Sequence, residues 1–467
     1  MRLVMKFGGT SLSEAERMIR SAEIVNSYAK NNELVVVCSA AGDVTDKLLE
    51  IVEKARRGRA EDVERIHAYL ESLHRGLLEA VGDVRVREDV SVFADQLLRE
   101  LRRAVSGILY LREVTPRSMD YVLSFGEKLS TRIFSGVLSS MGLKTYYLDG
   151  GEAGIVTDSS FGEATPLIEA TKLNVRRRLV RLLDEGYTPV VTGFIAANEE
   201  GVVTTLGRGG SDYTATLLAY CIQADEVQLW TDVDGLMTSN PKIVPDSRVL
   251  EYVSYNEAIE MALFGAKGLH PRALEPAMMA KIPIRIKNTF NPSGRGTLVY
   301  ERSERDDKEP VKAVLLVNSV AMLTVRGPSM VGRPGTAVRI LDTLHKAGVN
   351  VMMISQSVSE SSISLIIRRE KMEKAVSAIE KALLGTGVVA SVESEDDVAV
   401  VAVIGEGMKG TPGIASRVFG AVASKGVNVR MIAQGSSELN ISFVVKEEQA
   451  VEAVRAVHAE YNLSGRR

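Results

Sequence analysis

Residues 202–233 read VVTTLGRGGSDYTATLLAYCIQADEVQLWTDV, and their order of strand, glycine turn, helix and strand decides the fold class. Val202 to Leu206 is rich in β-formers, Asp212 to Ile222 places apolar residues at helical spacing, and Glu226 to Val233 is strand-like again. The alternation continues outward. Strand-like Leu34 to Cys38 is followed by helical Thr45 to Arg56, strand-like Thr188 to Ala197 leads into the quoted stretch, and helical Asn256 to Phe264 comes after it. Strands that alternate with helices predict an α/β fold, an open sheet flanked by helices on both faces.

The glycine turn inside that stretch, Leu206-Gly207-Arg208-Gly209-Gly210-Ser211-Asp212, suits an anion. Glycines let an anion approach backbone N–H groups, the helix that follows adds its positive N-terminal dipole, and Arg208 offers a bidentate fork. A tight turn capped by Ser211 or Asp212 is the plainer alternative, but an arginine in the middle of a glycine loop contributes nothing to a turn. A second turn of this kind is Lys6-Phe7-Gly8-Gly9-Thr10-Ser11, where Lys6 brings a full charge beside paired glycines; an ordinary strand-to-helix turn is its alternative. It is not a P-loop, because the lysine precedes the glycines and no GxxxxGK[ST] string occurs. Ser39-Ala-Ala-Gly42-Asp-Val-Thr45-Asp46 follows a strand and ends in a predicted helix N-cap. Phe125-Gly126-Glu127 puts glycine in a helical pattern at a cost of about 1 kcal/mol, which asks for a packing or ligand reason. Trp230-Thr231-Asp232 closes a strand at the carboxyl edge, where open α/β sheets bind ligands.

With 467 residues the chain has room for about three domains. Its 45% hydrophobic and 25% charged residues are those of a globular protein rather than a disordered one. A net charge of -3 disfavours a nucleic-acid partner held by a basic face. Cys38 and Cys221 cannot form a disulfide framework, and with His67, His74, His270, His345 and His458 they give no metal-ligand spacing. No apolar run reaches the roughly 18 residues of a membrane span. Met1 to Phe7 is too short for a signal peptide, so no membrane partner and a cytoplasmic location are expected.

Residues 60–112 break the alternation with Ile66, Leu70, Leu73, Leu77 and Val81, then Leu97, Leu101, Val105 and Ile108, all at helical spacing. They predict a helical pair inserted for packing. Residues 301–310 (ERSERDDKEP) carry no large apolar side chain and read as a linker between strand-like Thr297 to Tyr300 and Ala313 to Val317. Beyond it lies a repeat at a constant offset of 78 residues: Gly332-Arg-Pro334-Gly335 recurs as Gly410-Thr-Pro412-Gly413, Gly348-Val-Asn350 as Gly426-Val-Asn428, and Ile354-Ser-Gln356 as Ile432-Ala-Gln434. Each copy predicts a strand, a helix (Ala337 to Ala347; Ala415 to Ser424), two strands and a further helix, hence a small sheet with helices on one face. The literal GxGxxG at Gly405 to Gly410 is discounted as a dinucleotide fingerprint, because Arg430 stands about 20 residues on where an acid is needed.

KFGGTS at the start, SAAGDVTD near 40, SFGE at 124–127, GRGGSD at 207–212, TDVDG at 231–235 and FGAKGLHP at 264–271 together resemble the amino-acid kinase family, most closely its aspartate kinase branch. The duplicated C-terminal stretch resembles paired ACT regulatory units. The resemblance implies a catalytic domain over 1–300, a linker over 301–310, and βαββαβ ACT-like units at 311–390 and 391–467 that could interleave; a form without a fused homoserine dehydrogenase is expected. It further implies transfer of the ATP γ-phosphoryl group to the β-carboxylate of L-aspartate, with Mg²⁺ accompanying ATP. By resemblance, Lys6, Arg208 and Asp212 are catalytic, and Ser39, Thr45, Glu127, Arg208 and Ser211 bind the amino acid. Lys6, Gly8, Gly9, Ser11, Gly209, Gly210, Thr231, Asp232, Lys242 and Lys267 would hold nucleotide. Asn240 and Lys242 stand where the family has TxDPR, which removes an arginine from the nucleotide side. Asn350, Gln356, Asn428 and Gln434 would form allosteric sites for an amino-acid effector, threonine in preference to lysine, in a homodimer or larger homo-oligomer joined through the ACT units. Two alternatives stand beside this reading: another amino-acid kinase acting on glutamate or acetylglutamate, and a non-catalytic amino-acid sensor.

Overall fold

Strand β1 (Arg2–Phe7) leaves Leu3, Val4, Met5 and Phe7 with 3% exposure or less, so it is covered on both faces, as a central strand of a parallel sheet must be. The computed structural model describes residues 1–301, 309–327, 330–332, 334–359, 361–385 and 389–464. Its contacts divide it into two units. The first comprises Met1–Leu236, Glu251–Ile259 and Lys267–Arg302; the second comprises Met237–Leu250, Glu260–Ala266 and Ser303–Arg467.

After β1 come α1 (Ala15–Ala29), β2 (Glu33–Cys38), α2 (Val44–Arg56), α3 (Ala60–Leu77), α4 (Val84–Leu111), α5 (Pro116–Ser140), β3 (Thr145–Leu148), β4 (Val156–Thr157), α6 (Ile168–Val175) and α7 (Arg181–Asp184). Next are β5 (Thr188–Thr192), β6 (Ile195–Asn198), β7 (Val203–Thr205), α8 (Gly210–Ile222), β8 (Glu226–Thr231), β9 (Tyr252–Ser254), α9 (Tyr255–Leu263), α10 (Leu274–Ala280), β10 (Ile284–Asn288) and β11 (Thr297–Tyr300). The main sheet has the order β3-β5-β2-β1-β8-β10-β11-β9, with β1 parallel to both β2 and β8. The chain builds outward from β1 on one side and later returns to its other side, which makes the carboxyl ends of β1, β2 and β8 a topological switch point. Helices cover both faces: Lys6 meets Asp212 of α8, while the next residue, Phe7, packs its ring on Phe134 of α5.

The inserted pair is α3 and α4, whose Ile66, Leu70, Leu77, Leu97, Leu101, Val105 and Ile108 join the core cluster that holds β1 and β2. Two expectations need correction. Thr188 to Ala197 is not one strand, because Gly193 and Phe194, the latter at φ 64, break it into β5 and β6. The strand before the glycine turn, β7, pairs with β6 in a separate three-stranded sheet, β4-β6-β7, and so stands outside the main one.

The second unit contains β12 (Ala313–Arg326), α11 (Thr336–Lys346), β13 (Val351–Gln356), β14 (Ser362–Arg368), α12 (Met372–Leu383), β15 (Ser391–Ile404), α13 (Ile414–Ala423), β16 (Met431–Ala433), β17 (Asn440–Lys446) and α14 (Glu447–Glu460). They form one continuous sheet, β13-β14-β12-β15-β17-β16. The expected cut near 390 does not follow the pairing. Strands β12 and β15, each 14 residues long, run through both copies, so Val320–Arg326 pairs with β14 in the first copy while Ala313–Val317 pairs with Val400–Ile404 in the second. The first copy is therefore inserted after the opening strand of the second. Each copy keeps its own helix-covered core, around Ile340, Leu344 and Ile379 in one and around Val418, Val422 and Phe443 in the other. Most of the expected linker, residues 302–308, lies outside the described residues.

Candidate functional site

The turn after β1 is fixed by main chain. Gly8 N–H donates to Trp230 O (3.1 Å), Ser39 N–H to Phe7 O (3.1 Å) and Gly42 N–H to Gly9 O (2.9 Å), so the ends of β1, β2 and β8 are tied together. A Cβ on Gly9 would lie 2.8 Å from Ala40 O, which explains the second glycine. Lys6 Nζ sits 2.5 Å from Asp212 Oδ1, a pair with little solvent exposure at the first turn of α8. Ser11 faces inward, its hydroxyl 2.8 Å from that of Thr289.

The expected caps are absent. Helix α2 starts from Asp43, and no side chain caps it; α8 starts from Gly209, so Ser211 and Asp212 lie inside its first turn. Gly207 and Gly209 both have φ 75, a region that costs other residues roughly 1–2 kcal/mol. A Cβ on Gly209 would lie 2.3 Å from the His270 ring, and one on Gly210 would lie 2.9 Å from Phe194. Gly193 allows Ser211 to come as close as 2.6 Å to where its own Cβ would be. Arg272 donates to Leu206 O (2.8 Å) and lies over the Tyr213 ring, which steadies the stem of the loop. Arg208 itself is exposed and forms no salt bridge among the described residues.

Gly126 has a packing reason: its Cβ would meet Ala40, Leu48 and Val44 at 3.0–3.3 Å, so α5 can lie close to α2 only with glycine there. The next residue, Glu127, is 3% exposed. Its Oε1 accepts from Ala40 N (3.2 Å), whereas its Oε2 is buried without a partner. Burial pushes its carboxyl up to about 8, only partly offset by the Ala40 N–H. His270 Nδ1 is likewise buried without a partner; burial holds this imidazole below its usual range, against the pull of Asp212 and with the push of Arg208 and Arg272.

Lys6, Gly8, Gly9, Gly209, Gly210, Ser211 and Asp212 thus belong to two turns joined by one ion pair, and Ser39, Thr45, Glu127, Thr231, Asp232 and Lys267 all belong to the same unit. Thr231 ends β8 beside Asp232, to which its hydroxyl donates (3.2 Å). Lys242 belongs to the second unit, where its segment is held by Val314 N–H to Thr238 O (2.8 Å), Thr238 Oγ1 with His458 Nε2 (3.0 Å) and Arg455 Nε to Ile243 O (2.8 Å). Asn350, Gln356, Asn428 and Gln434 are all exposed, at equivalent points of the two copies. Gln356 ends one edge strand of the six-stranded sheet, and Gln434 follows the other. Among the described residues no group of three or more His, Cys, Asp or Glu side chains is placed to hold a metal ion. The residues that sequence reasoning missed are Gly193, Phe194, Arg272 and the ring of His270. Only a glycine in a strand-like run hinted at the first two.

A family model described as the amino acid kinase family matches residues 1–288, and one described as the ACT domain matches residues 323–383 and 401–461. The chain is 36% identical over 474 residues to "Aspartokinase 2, chloroplastic" of Arabidopsis thaliana, covering 98% of this chain and 84% of that one. It resembles the crystal structure of E. coli aspartokinase III in complex with aspartate and ADP (R-state), with a TM-score of 0.82, 30% identity, and 98% and 99% of the two chains covered. The same E. coli protein in complex with lysine and aspartate (T-state) gives a TM-score of 0.81 at 31% identity, again over 98% and 99% of the chains.

Proposed function

The chain belongs to the amino acid kinase family, in which it is an aspartokinase with ACT domains, and on that premise we propose how its residues divide the work. The transfer runs from the ATP γ-phosphate to the β-carboxylate of L-aspartate and yields 4-phospho-L-aspartate. A side-chain carboxyl with an ordinary value near ~3.9 is already ionised at neutral pH, so the nucleophile needs no general base. What the site must do is hold two anions together. Lys6 neutralises the moving phosphoryl group, Gly8 and Gly9 admit the phosphates to backbone N–H groups, and Asp212 keeps Lys6 in place. Arg208 clamps the α-carboxylate, and Glu127 takes the α-ammonium group. Ser39, Thr45 and Ser211 add hydrogen bonds, while Thr231, Asp232, Lys242 and Lys267 serve the nucleotide. Mg²⁺ suits this donor set only as a companion of ATP, held through the phosphates, since it keeps several waters and needs few protein ligands.

The observation that carries the amino-acid assignment is the Glu127 Oε2 atom, buried without a partner in the chain. A bound ammonium group would satisfy it and return the carboxyl to its charged form. We assign the product to the biosynthesis of threonine, methionine, isoleucine and lysine, in the cytoplasm. Effector control runs through the ACT units of a homo-oligomer, with threonine favoured by Gln356 and Gln434. Lysine is the competing effector, since it occupies the E. coli relative. Trapping the acyl phosphate with hydroxylamine tests the reaction: aspartate should give hydroxamate, and glutamate or acetylglutamate very little. A product from either of those instead of aspartate would overturn the assignment. A shift of aspartate saturation by threonine and not by lysine supports the effector choice, and the reverse removes it.

A further inference from the structure

Asp120 lies on α5, seven residues before Glu127, which places the two carboxylates on one face of the helix about 10 Å apart along its axis. Its side chain is fully buried and forms no salt bridge among the described residues. It accepts three hydrogen bonds. Oδ2 takes Gly162 N–H (3.0 Å) and Thr205 N–H (2.9 Å), and Oδ1 takes the Thr205 hydroxyl (2.8 Å). Gly162 belongs to the loop after β4, and Thr205 ends β7, three residues before Arg208. The two strands of chain touch again beyond this point: Ala164 N–H donates to Thr205 O (2.8 Å), and a Cβ on Gly207 would lie 3.2 Å from Glu163. A buried carboxylate without a cation costs the fold several kcal/mol unless donors surround it, and apolar residues could have joined these loops more simply.

We propose that Asp120 is a positioning residue for the amino-acid subsite, which fastens the 158–165 loop and the stem of the Arg208 turn to the helix that carries Glu127. This inference rests on the reading of Arg208 and Glu127 as the two clamps of the substrate's charged groups. One rigid helix then sets the distance between the clamps, and the nucleotide turn after β1, held by its own backbone bonds, lies outside that control.

The test is steady-state kinetics on the full-length protein with aspartate and ATP varied separately. Asp120→Ala should raise the aspartate KM by about tenfold to a hundredfold with the ATP KM little changed, the size expected when a reacting group is misplaced by an ångström. Asp120→Asn should behave nearly as the parent, because its carboxamide oxygen accepts both N–H groups and its amide donates to the Thr205 hydroxyl, which can turn to accept. Thr205→Val, which removes one bond and spares the buried carboxylate, should give the same KM split on a smaller scale and carries the test if Asp120→Ala does not fold. Equal changes in both KM values, or an Asp120→Asn protein as impaired as the alanine variant, would overturn the proposal. A parent protein that makes no aspartyl hydroxamate would instead overturn the reading beneath it.

Discussion

Gly8 and Gly9 are held by main chain, whereas Gly209 and Gly210, besides the Gly210 N–H bond to Gly207 O (3.0 Å), are crowded by side chains. The first turn joins three strand ends through N–H to carbonyl bonds, and its tightest neighbour is a backbone oxygen, Ala40 O. The second is wedged between His270 and Phe194, and its stem is fixed by Arg272 and Asp120, residues far away in sequence. The Lys6–Asp212 pair links the two turns. On the proposed division of work, the turn given to phosphate is built from the sheet itself, whereas the turn given to the amino acid is set by side chains that can vary.

Breaking each turn at its charged residue should separate the two roles most sharply. Lys6→Ala should lower kcat about 10²- to 10³-fold with the fold intact, the range seen when one donor to developing charge is removed. Arg208→Ala should act mainly on the aspartate KM, by roughly 10- to 100-fold, as expected for a lost charge-assisted hydrogen bond. Kinetics with both substrates varied checks the pair, and an Arg208→Ala protein whose only defect is in ATP binding would erase the distinction.

A smaller effect tests what holds the second turn. Gly209→Ala should destabilise by at least about 1–2 kcal/mol from its backbone angle alone, with a further cost from the His270 ring. His270→Ala should relieve that further part and leave the backbone part. A double-mutant cycle read by denaturant unfolding measures the coupling, and additive losses would show that the ring does not wedge the glycine.

A last effect concerns Glu127, beside the first turn. Its folded value of about 8 lies above the 4.5 of an unperturbed carboxyl, so the native protein keeps a proton that the unfolded chain has lost between those pH values. The associated stability is complete below the lower value and is lost as pH rises through about 8. Glu127→Gln should flatten that part of the unfolding profile. With Glu127 as the proposed partner of the ammonium group, aspartate binding should release a proton near neutral pH. Calorimetry in buffers of different ionisation enthalpy reads this release, and buffer-independent heats would count against the ammonium pairing.

Much of the molecule was legible beforehand. The helical pair α3 and α4 and the glycine turns showed in spacing and composition, since period and residue type report which face of an element is buried. The 78-residue offset showed the duplication, because a copied unit preserves its turn residues. What period cannot report is the neighbour that does the burying. Hence the helix starts at Asp43 and Gly209 were misplaced, the separate sheet that holds β7 was not foreseen, and Asp120 was not singled out.

By itself the sequence determined an α/β unit with two glycine turns followed by a repeated unit, because these follow from local propensity and internal likeness. Only the tertiary structure decided that β12 and β15 thread both copies of the repeat, that the segment carrying Lys242 is packed with that repeat, and that one carboxylate on α5 fastens two loops. Each of these depends on contacts between residues tens to hundreds of positions apart. Such contacts are fixed by the closing of the chain on itself, and no local pattern of residues records them.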